Sequence, residues 1–469
     1  MNFTYEPLTQ EQIEKIHEAT LLVLEQNGAE MKDTRAQELF KKHGATVDGD
    51  IVKIPRKIVN EAMKLAPKSF VFAAPNEKRN LNVGASDRPL IAPNATSPYM
   101  IDDEFKRRNV TFEDMRNFFK LSQSSDCVDM GGNFIIFPTA ECTYEEAVTR
   151  TIYEYCLHMD KPMNLCSVDR NSLDLTLELM QVLRETDEGY PTVASLSPIS
   201  PLKFDELILD GIFYCAEKNQ VMEVTPCSSA GLTGPISCWE NVVLTNAENV
   251  AMITLIQLIN PGLPVVYSTY SALTDMRTLQ LATGGAETHK MTSMACQLAH
   301  FYGVPFDMPS GSTDAKNVDV QAAAESTNAI LNAYATKVDI AMFMLGSLDS
   351  FNSASYRKFI LDEEIIHHTR AYIKPLKDVD PQKTADLITE VGHFDTFVKH
   401  KNTLRNYRKE YIFPDFGVRS TYVEYCNANM DIIQRIDKQL EKRLNQYVAP
   451  EISDAKKAKM KEIYEKHAK

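Results

Sequence analysis

Between residues 90 and 370, short apolar runs alternate with helical stretches eight times, and this alternation constrains the fold more than any other feature of the chain. The runs fall at 90–93, 133–137, 163–167, 192–196, 221–225, 264–268, 305–308 and 340–345. Helical patterns lie between them at 112–123, 143–159, 171–185, 204–218, 239–259, 285–302 and 319–336, with a last one at 362–372. Short strands without polar alternation suit a parallel sheet covered by helices. Eight strand–helix units is the count of a TIM (β/α)8 barrel. An open doubly wound sheet is the competing architecture, but no G-x-G-x-x-G follows the first run. The expected fold is therefore α/β: a barrel over 89–375, an N-terminal α+β extension over 1–88, and a C-terminal helical segment over 376–469 packed on the barrel.

Composition narrows the function. The chain has 469 residues with 50 basic and 64 acidic side chains, a net charge of −14, which repels phosphate backbones and argues against nucleic acid as a partner. Nine cysteines without a C-x-x-C pair fit free thiols in a reducing compartment. No basic leader followed by an apolar stretch opens the chain. The longest uncharged run, 249–274, is broken at Asn260-Pro261-Gly262, which leaves about nine apolar residues before it, against the roughly 20 that span a bilayer. A cytoplasmic protein with no membrane segment is expected.

The loops after the apolar runs are rich in small and polar residues, and in a barrel such loops build the active site. No HExxH or HxH occurs, so metal binding by the chain is not expected. His289 and His300 read as packing or surface residues. Cys166 and Cys227 sit at strand ends without a paired base and read as structural thiols. Gly284-Gly285 opens a helix, either as an anion site or as a tight turn. Aromatic residues gather at strand ends: Tyr99, Phe134, Phe137, Tyr267, Tyr270 and Phe351. Several such faces around one pocket would attract a quaternary ammonium group. Glu223 lies inside the apolar run 221–225, where a carboxylate needs a partner or a raised pKa, so it is either a site residue or one arm of a salt bridge. Asp314 and Asp349 are further loop acids, and Arg277 and Lys316 are loop cations that could hold a carboxylate.

Five segments, LTQEQIEKIHEAT (8–20), IPRKIVNEAMKLAPKSF (54–70), TGGAE (283–287), SGSTDAKNVDVQAAAE (310–325) and LDEEII (361–366), resemble the trimethylamine methyltransferase superfamily in the same order. The resemblance implies a TIM-barrel enzyme that moves a methyl group from a methylated amine to the cobalt(I) of a corrinoid. That corrinoid would be supplied by a cognate corrinoid protein, with no cofactor bound tightly by this chain. The founding members carry pyrrolysine. This sequence has only the twenty standard residues and resembles the branch that acts on quaternary amines such as glycine betaine, proline betaine, carnitine and butyrobetaine. On that reading Tyr99, Tyr270 and Phe351 would surround the ammonium, Arg277 or Lys316 would meet the carboxylate, and Glu223 and Asp314 come next; the enzyme would be a homo-oligomer. A betaine-binding barrel without turnover is the alternative from another class. A barrel lyase would need a Schiff-base lysine on a strand, and none of the expected strands has one.

Overall fold

The computed structural model describes residues 3–94, 96–132, 138, 140–165 and 169–468. Seven strands form one parallel sheet, and their spatial order follows the chain from Met163–Leu165 through Thr192–Leu196, Val221–Val224, Val265–Ser268, Phe306–Pro309 and Ile340–Met342 round to Leu90–Ile91. The expected run 133–137 lies outside the described residues. Just before it the chain closes the ring: Met130 N donates to Ile91 O, and Gly131 bridges in parallel to Met163. The architecture is the TIM-type α/β barrel that the alternation predicts, with helices outside, among them Phe112–Ser124, Arg170–Leu183, Ala286–Tyr302 and Tyr356–Ile373.

The pairing register sorts each strand into two faces. Leu165, Ala194, Met222, Val265, Phe306 and Ala341 face outward into the large helix-covered core. Val193, Val221, Val266, Leu90 and Ile340 face inward and form a second, separate apolar cluster. Phe70 and Phe72 join that inner cluster from the Phe70–Phe72 and Leu81–Val83 hairpin, whose Val71 O accepts from Tyr190 N at 2.9 Å. Tyr190 precedes its strand, so this hairpin plugs the N-terminal end of the barrel and leaves the C-terminal end as the only mouth for the interior among the described residues.

The N-terminal helix Gln10–Gln26 starts at a capping box on Thr9 and buries Ile13, Ile16, Leu21 and Leu24 on one stripe. It packs on the 22-residue helix Cys238–Ile259. That helix is long and apolar enough to cross a membrane by composition, yet 89% of its apolar window is buried inside the protein. Its polar residues act as ties: Asn246 donates to Thr20 Oγ1 at 2.7 Å and accepts from Tyr267 OH at 2.9 Å, and Asn249 donates to Ser268 O at 2.9 Å. Tyr267 therefore points away from the barrel interior, which its strand position alone does not reveal.

The loops at the mouth carry sheets of their own that the sequence pattern does not predict. Tyr99–Ile101 and Arg107–Asn109 pair with Ser353–Ala354 and Ser347–Leu348, joining the first and last loops. Ser229–Ala230, Ala272–Asp275 and Gln280–Ala282 form a second small sheet. The 197–202 loop is anchored below by Glu248, which is buried on the core helix and accepts from Leu202 N at 2.9 Å and Ser200 Oγ at 3.0 Å.

Burial pushes the Glu248 carboxyl up to about 7, above its value in an unfolded chain. The stabilising proton is fully held below the unfolded pKa and is lost as pH rises through about 7. Glu248→Gln keeps an acceptor without the charge. It is expected to raise stability by about 1–3 kcal/mol at alkaline pH and to bring no gain in acid, measured by urea unfolding on either side of neutrality.

Candidate active site

Two carboxyl groups share the barrel interior just above the apolar plug. Glu223, on Val221–Val224, and Asp307, on Phe306–Pro309, are both fully buried. The register brings them to one face, because Glu223 pairs with Val266 and Asp307 with Ser268 two residues further along the same strand. Glu223 Oε2 accepts from Ser195 Oγ at 2.6 Å and Asn164 Nδ2 at 3.1 Å. Asp307 Oδ2 accepts from Ser268 Oγ and Tyr270 OH, each at 3.2 Å. The other oxygens, Glu223 Oε1 and Asp307 Oδ1, receive no N–H or O–H from the described residues. Burial, and then the neighbouring Glu223 charge and hydrogen bond, drive the Asp307 carboxyl well above the ordinary range. Asp307 is therefore held protonated at neutral pH, beside the Glu223 carboxyl.

Aromatic rings wall the space above the pair. Tyr270 meets Phe343 edge-on with centroids 5.3 Å apart and lies roughly parallel to Phe351 at 6.5 Å; Phe343 and Phe351 are 4.8 Å apart. Both phenylalanines have positive φ, 54° and 74°, a conformation that costs a bulky L-residue energy and persists where surrounding contacts impose it. At 349–351 those contacts are visible: Asp349 N bonds Ala315 O, Ser350 N bonds Thr313 O, and Ser97 Oγ donates to Phe351 O at 2.7 Å. A narrow crevice, with a free volume of about 10 Å³, runs beside Tyr270 and Phe351 and is also lined by His289, Ser312, Thr283 and Thr292. His289 Nε2 and Ser312 Oγ are buried there without a partner among the described residues, and burial lowers the His289 pKa, so the ring is neutral at pH 7.

Glu223, Tyr270 and Phe351 thus meet in one place, whereas the other residues singled out from the sequence stand behind or outside it. Asp314 accepts from Thr283 N at 2.8 Å, Thr283 Oγ1 at 2.9 Å, Gly284 N at 3.2 Å and Ser350 Oγ at 2.7 Å. It fills the glycine-rich helix start itself and fastens the turn that presents Phe351. Lys316 pairs with Asp349 at 2.5 Å, and Arg107 reaches Asp349 at 3.4 Å while covering the Tyr99 ring at 4.4 Å. Arg277 is 87% exposed and paired with Asp275 at 2.6 Å. Neither expected cation faces the cleft, because each has a nearer carboxylate on the surface. Phe134, Phe137 and Cys166 lie outside the described residues. Cys227 is open to the mouth yet ringed by protein, which pushes its thiol up to about 12 and leaves it protonated.

Asp307 and Phe343 were not anticipated. Asp307 carries the same signal as Glu223, an acid inside an apolar run, whereas Phe343 was hidden because the run 340–345 reads as unbroken strand although the strand stops at Met342. Asp126, Cys127 and His367 offer ligand atoms within 4.8 Å of one another. They are held as an Asp126–His367 ion pair at 3.1 Å beside a thiol that burial keeps protonated. Of the buried lysines, Lys161 donates to the carbonyls of Ser122, Ser125 and Val128, and Lys358 is locked to Asp362 at 2.6 Å, so neither offers a free amine.

A parallel barrel whose mouth holds a buried carboxyl pair under aromatic walls is the architecture of a barrel enzyme with its site at the C-terminal ends of the strands. The chain belongs to the trimethylamine methyltransferase family, whose pattern matches residues 2–469. It is 32% identical to glycine betaine methyltransferase of Desulfitobacterium hafniense strain Y51, covering 97% of this chain and 96% of that one. It is 28% identical to proline betaine:corrinoid methyltransferase of Eubacterium limosum, covering 95% and 94%. Trimethylamine methyltransferase of Desulfitobacterium hafniense strain DSM 10664 / DCB-2 is 24% identical over 85% of this chain and 81% of its own. Among solved structures, Methanosarcina barkeri monomethylamine methyltransferase superposes with a TM-score of 0.55 at 13% identity, covering 95% of this chain and 89% of that one, a likeness of fold.

Asp307→Asn retains a donor toward Glu223 and acceptors for Ser268 and Tyr270 while removing one titratable group. It is expected to stabilise the protein by about 1–2 kcal/mol at pH 8, where the paired acids are forced apart in charge, and to change little at pH 5. Denaturant unfolding at the two pH values measures this.

Proposed function

We propose that this protein transfers a methyl group from a quaternary amine of the betaine class to the corrinoid of a separate corrinoid protein, releasing the tertiary amine. The observation that carries the reading is the meeting of the Tyr270, Phe343 and Phe351 rings with the Glu223–Asp307 pair at the mouth, in a family member built only from standard residues. The full-length similarity to betaine methyltransferases supports it. The corrinoid supplies the cobalt(I) nucleophile, and the chain's part is to hold and aim the methyl donor.

Each group has a physical task. The ring faces attract the ammonium through their quadrupoles and exclude water. Asp307 gives up its proton when a cation arrives, because a permanent positive charge favours its ionised form. Loss of the methyl turns the cation into a neutral amine, so no acid is needed at the leaving group. As the positive charge fades, the pair can regain its proton, which keeps the cage from holding the ground state too tightly. Ser312 and His289, without a partner among the described residues, line the adjoining crevice and would meet the carboxylate of a betaine there, while Arg277 and Lys316 pair with surface carboxylates.

The mouth also offers a surface for the methyl acceptor. Ile199, Leu232, Ile236, Met276, Leu279 and Leu281 are exposed on three neighbouring loops, and Ile236 and Met276 flank Gly231. Apolar residues grouped on the rim around the substrate entrance suit docking of the corrinoid protein. The described cysteines are all free thiols, consistent with work in the reducing cytoplasm that cobalt(I) chemistry needs.

The decisive experiment mixes the purified protein with a reduced corrinoid protein and a panel of betaines and follows methylcobalt(III) formation by absorbance. Methylation with one or more quaternary amines and none with trimethylamine is expected. Betaine binding without methylation by any corrinoid protein would support a binding protein instead. Betaine affinity should rise with pH, with close to one proton released per ligand bound near neutrality, measured by calorimetry in buffers of different ionisation enthalpy. Met276→Glu with Leu279→Glu should raise the KM for the corrinoid protein at least tenfold and leave betaine affinity unchanged, read from the same spectroscopic assay.

A further inference from the structure

A second group of side chains with chemistry of its own lies at the N-terminal end of the barrel, opposite the mouth. Helix Phe112–Ser124 delivers the chain to Asp126 and Cys127, just before Met130 and Gly131 close the ring of strands. Helix Tyr356–Ile373, the last of the barrel, runs back from the mouth and brings His367 to them. Three different donors meet there. His367 Nε2 stands 3.2 Å from Cys127 Sγ and 3.1 Å from Asp126 Oδ1, and all three ligand atoms lie within 4.8 Å of one another. Sequence spacing gives no sign of this group, because Cys127 and His367 are 240 residues apart.

The segment that carries the thiol is fixed in place beforehand. Ser125 Oγ accepts from Cys127 N at 3.1 Å and Val128 N at 3.3 Å and donates to Glu363 Oε1 at 2.5 Å, and Arg443 pairs with the other Glu363 oxygen at 2.6 Å. Lys161 Nζ donates to the carbonyls of Ser125 and Val128, on either side of the thiol. Glu363 and His367 are one turn apart on the same helix, so one helix face meets both the tether of this segment and its sulfur. Cys127 is fully buried, whereas the Asp126 side chain is 76% exposed, which leaves one side of the group open to water. Arg370 bonds Tyr334 OH through Nε, places Nη1 3.9 Å from Cys127 Sγ, and keeps Nη2 buried without a partner among the described residues. A guanidinium with N–H groups to spare beside a sulfur is a setting for a thiolate, since a neutral thiol accepts hydrogen bonds only weakly.

We propose that Asp126, Cys127 and His367 bind a zinc ion, with water in the fourth position, and that the ion clips the last barrel helix to the start of the barrel. Thiolate, imidazole and carboxylate together are a donor set for zinc, whereas calcium and magnesium take oxygen donors. Tetrahedral zinc, with bonds of about 2.3 Å to sulfur and about 2.0–2.1 Å to nitrogen and oxygen, sets S···N at about 3.5 Å and N···O at about 3.3 Å. The separations of 3.2 and 3.1 Å therefore need open by only a few tenths of an ångström. The exposed Asp126 carboxylate moves to the ion at little cost. Zinc takes the place of the Cys127 thiol proton and of the proton between His367 and Asp126, and its two positive charges are balanced by the thiolate and the carboxylate. Arg370 then donates to the metal-bound sulfur. The site lies at the far end of the barrel from Glu223 and Asp307, so its contribution is to the stability of the closed ring and is independent of methyl transfer.

The test takes the full-length protein, strips it with a chelator and titrates it with Co2+ and then with Zn2+ at micromolar concentration. The expected result is one Co2+ bound per chain with a thiolate-to-cobalt charge-transfer band, displacement of that band by one equivalent of Zn2+, and a thermal midpoint that rises by several degrees with zinc. Cys127→Ser and His367→Gln should each abolish the band and weaken zinc binding at least tenfold. His368→Gln, at the exposed neighbouring histidine, should leave both unchanged. Circular dichroism checks that the variants fold, and the band of the parent chain is a readout that needs no variant. A parent protein that shows no thiolate band, or that takes up no zinc, overturns the proposal. So does zinc binding that survives both Cys127→Ser and His367→Gln, which would place the metal on other groups. Neither readout involves a betaine or a corrinoid, so the outcome is separate from that of the methyl-transfer assay.

Discussion

Two carboxyl groups in a sealed barrel interior are the constraint around which this structure is arranged. Burying Glu223 and Asp307 together is costly unless hydrogen bonds and a proton held on Asp307 relieve the like charges. Asn164, Ser195, Ser268 and Tyr270 provide those bonds from three strands, the last two residues from one strand and its end. Asn249 in turn bonds the carbonyl of Ser268 from the core helix. The interior below is apolar and plugged by Phe70 and Phe72, so among the described residues the pair is reachable only from the mouth.

Support for the walls comes from residues that never face the pair. Asp314 ties the start of helix Ala286–Tyr302 to Ser350, and Asp349 gathers Lys316 and Arg107 beside Tyr99. Together they hold the left-handed turn that carries Phe351. Several of the loop charges therefore serve as scaffold for an aromatic wall, and the interior itself carries the charge that matters. The net effect is a rigid frame on the mouth side, assembled from two small sheets that link successive loops.

Family membership and geometry constrain each other. The family accounts for the barrel and for methyl transfer as the chemistry of its named relatives. The geometry adds a mouth where aromatic rings stand over two buried acids, with Asp307 raised by burial and by its neighbour Glu223. Lysines that could have supported imine chemistry are spent on backbone carbonyls or on Asp362.

The barrel, its strand order and most helix limits were legible in the sequence, because apolar runs and 3.6-residue periodicity report burial directly. Glu223 was legible for the same reason, as an acid where only apolar residues belong, and Asp307 could have been found by the same signal. Tyr270 and Phe351 were legible as aromatics at strand ends. The inward or outward sense of each strand residue was not, and Tyr267 shows why: facing depends on register between strands distant in sequence, and a shift of one residue reverses it. Phe343 and the fate of Asp314, Arg277 and Lys316 depended on where loops fold back on one another. Charged side chains in loops take the nearest opposite charge in space, and only the tertiary structure decides which that is.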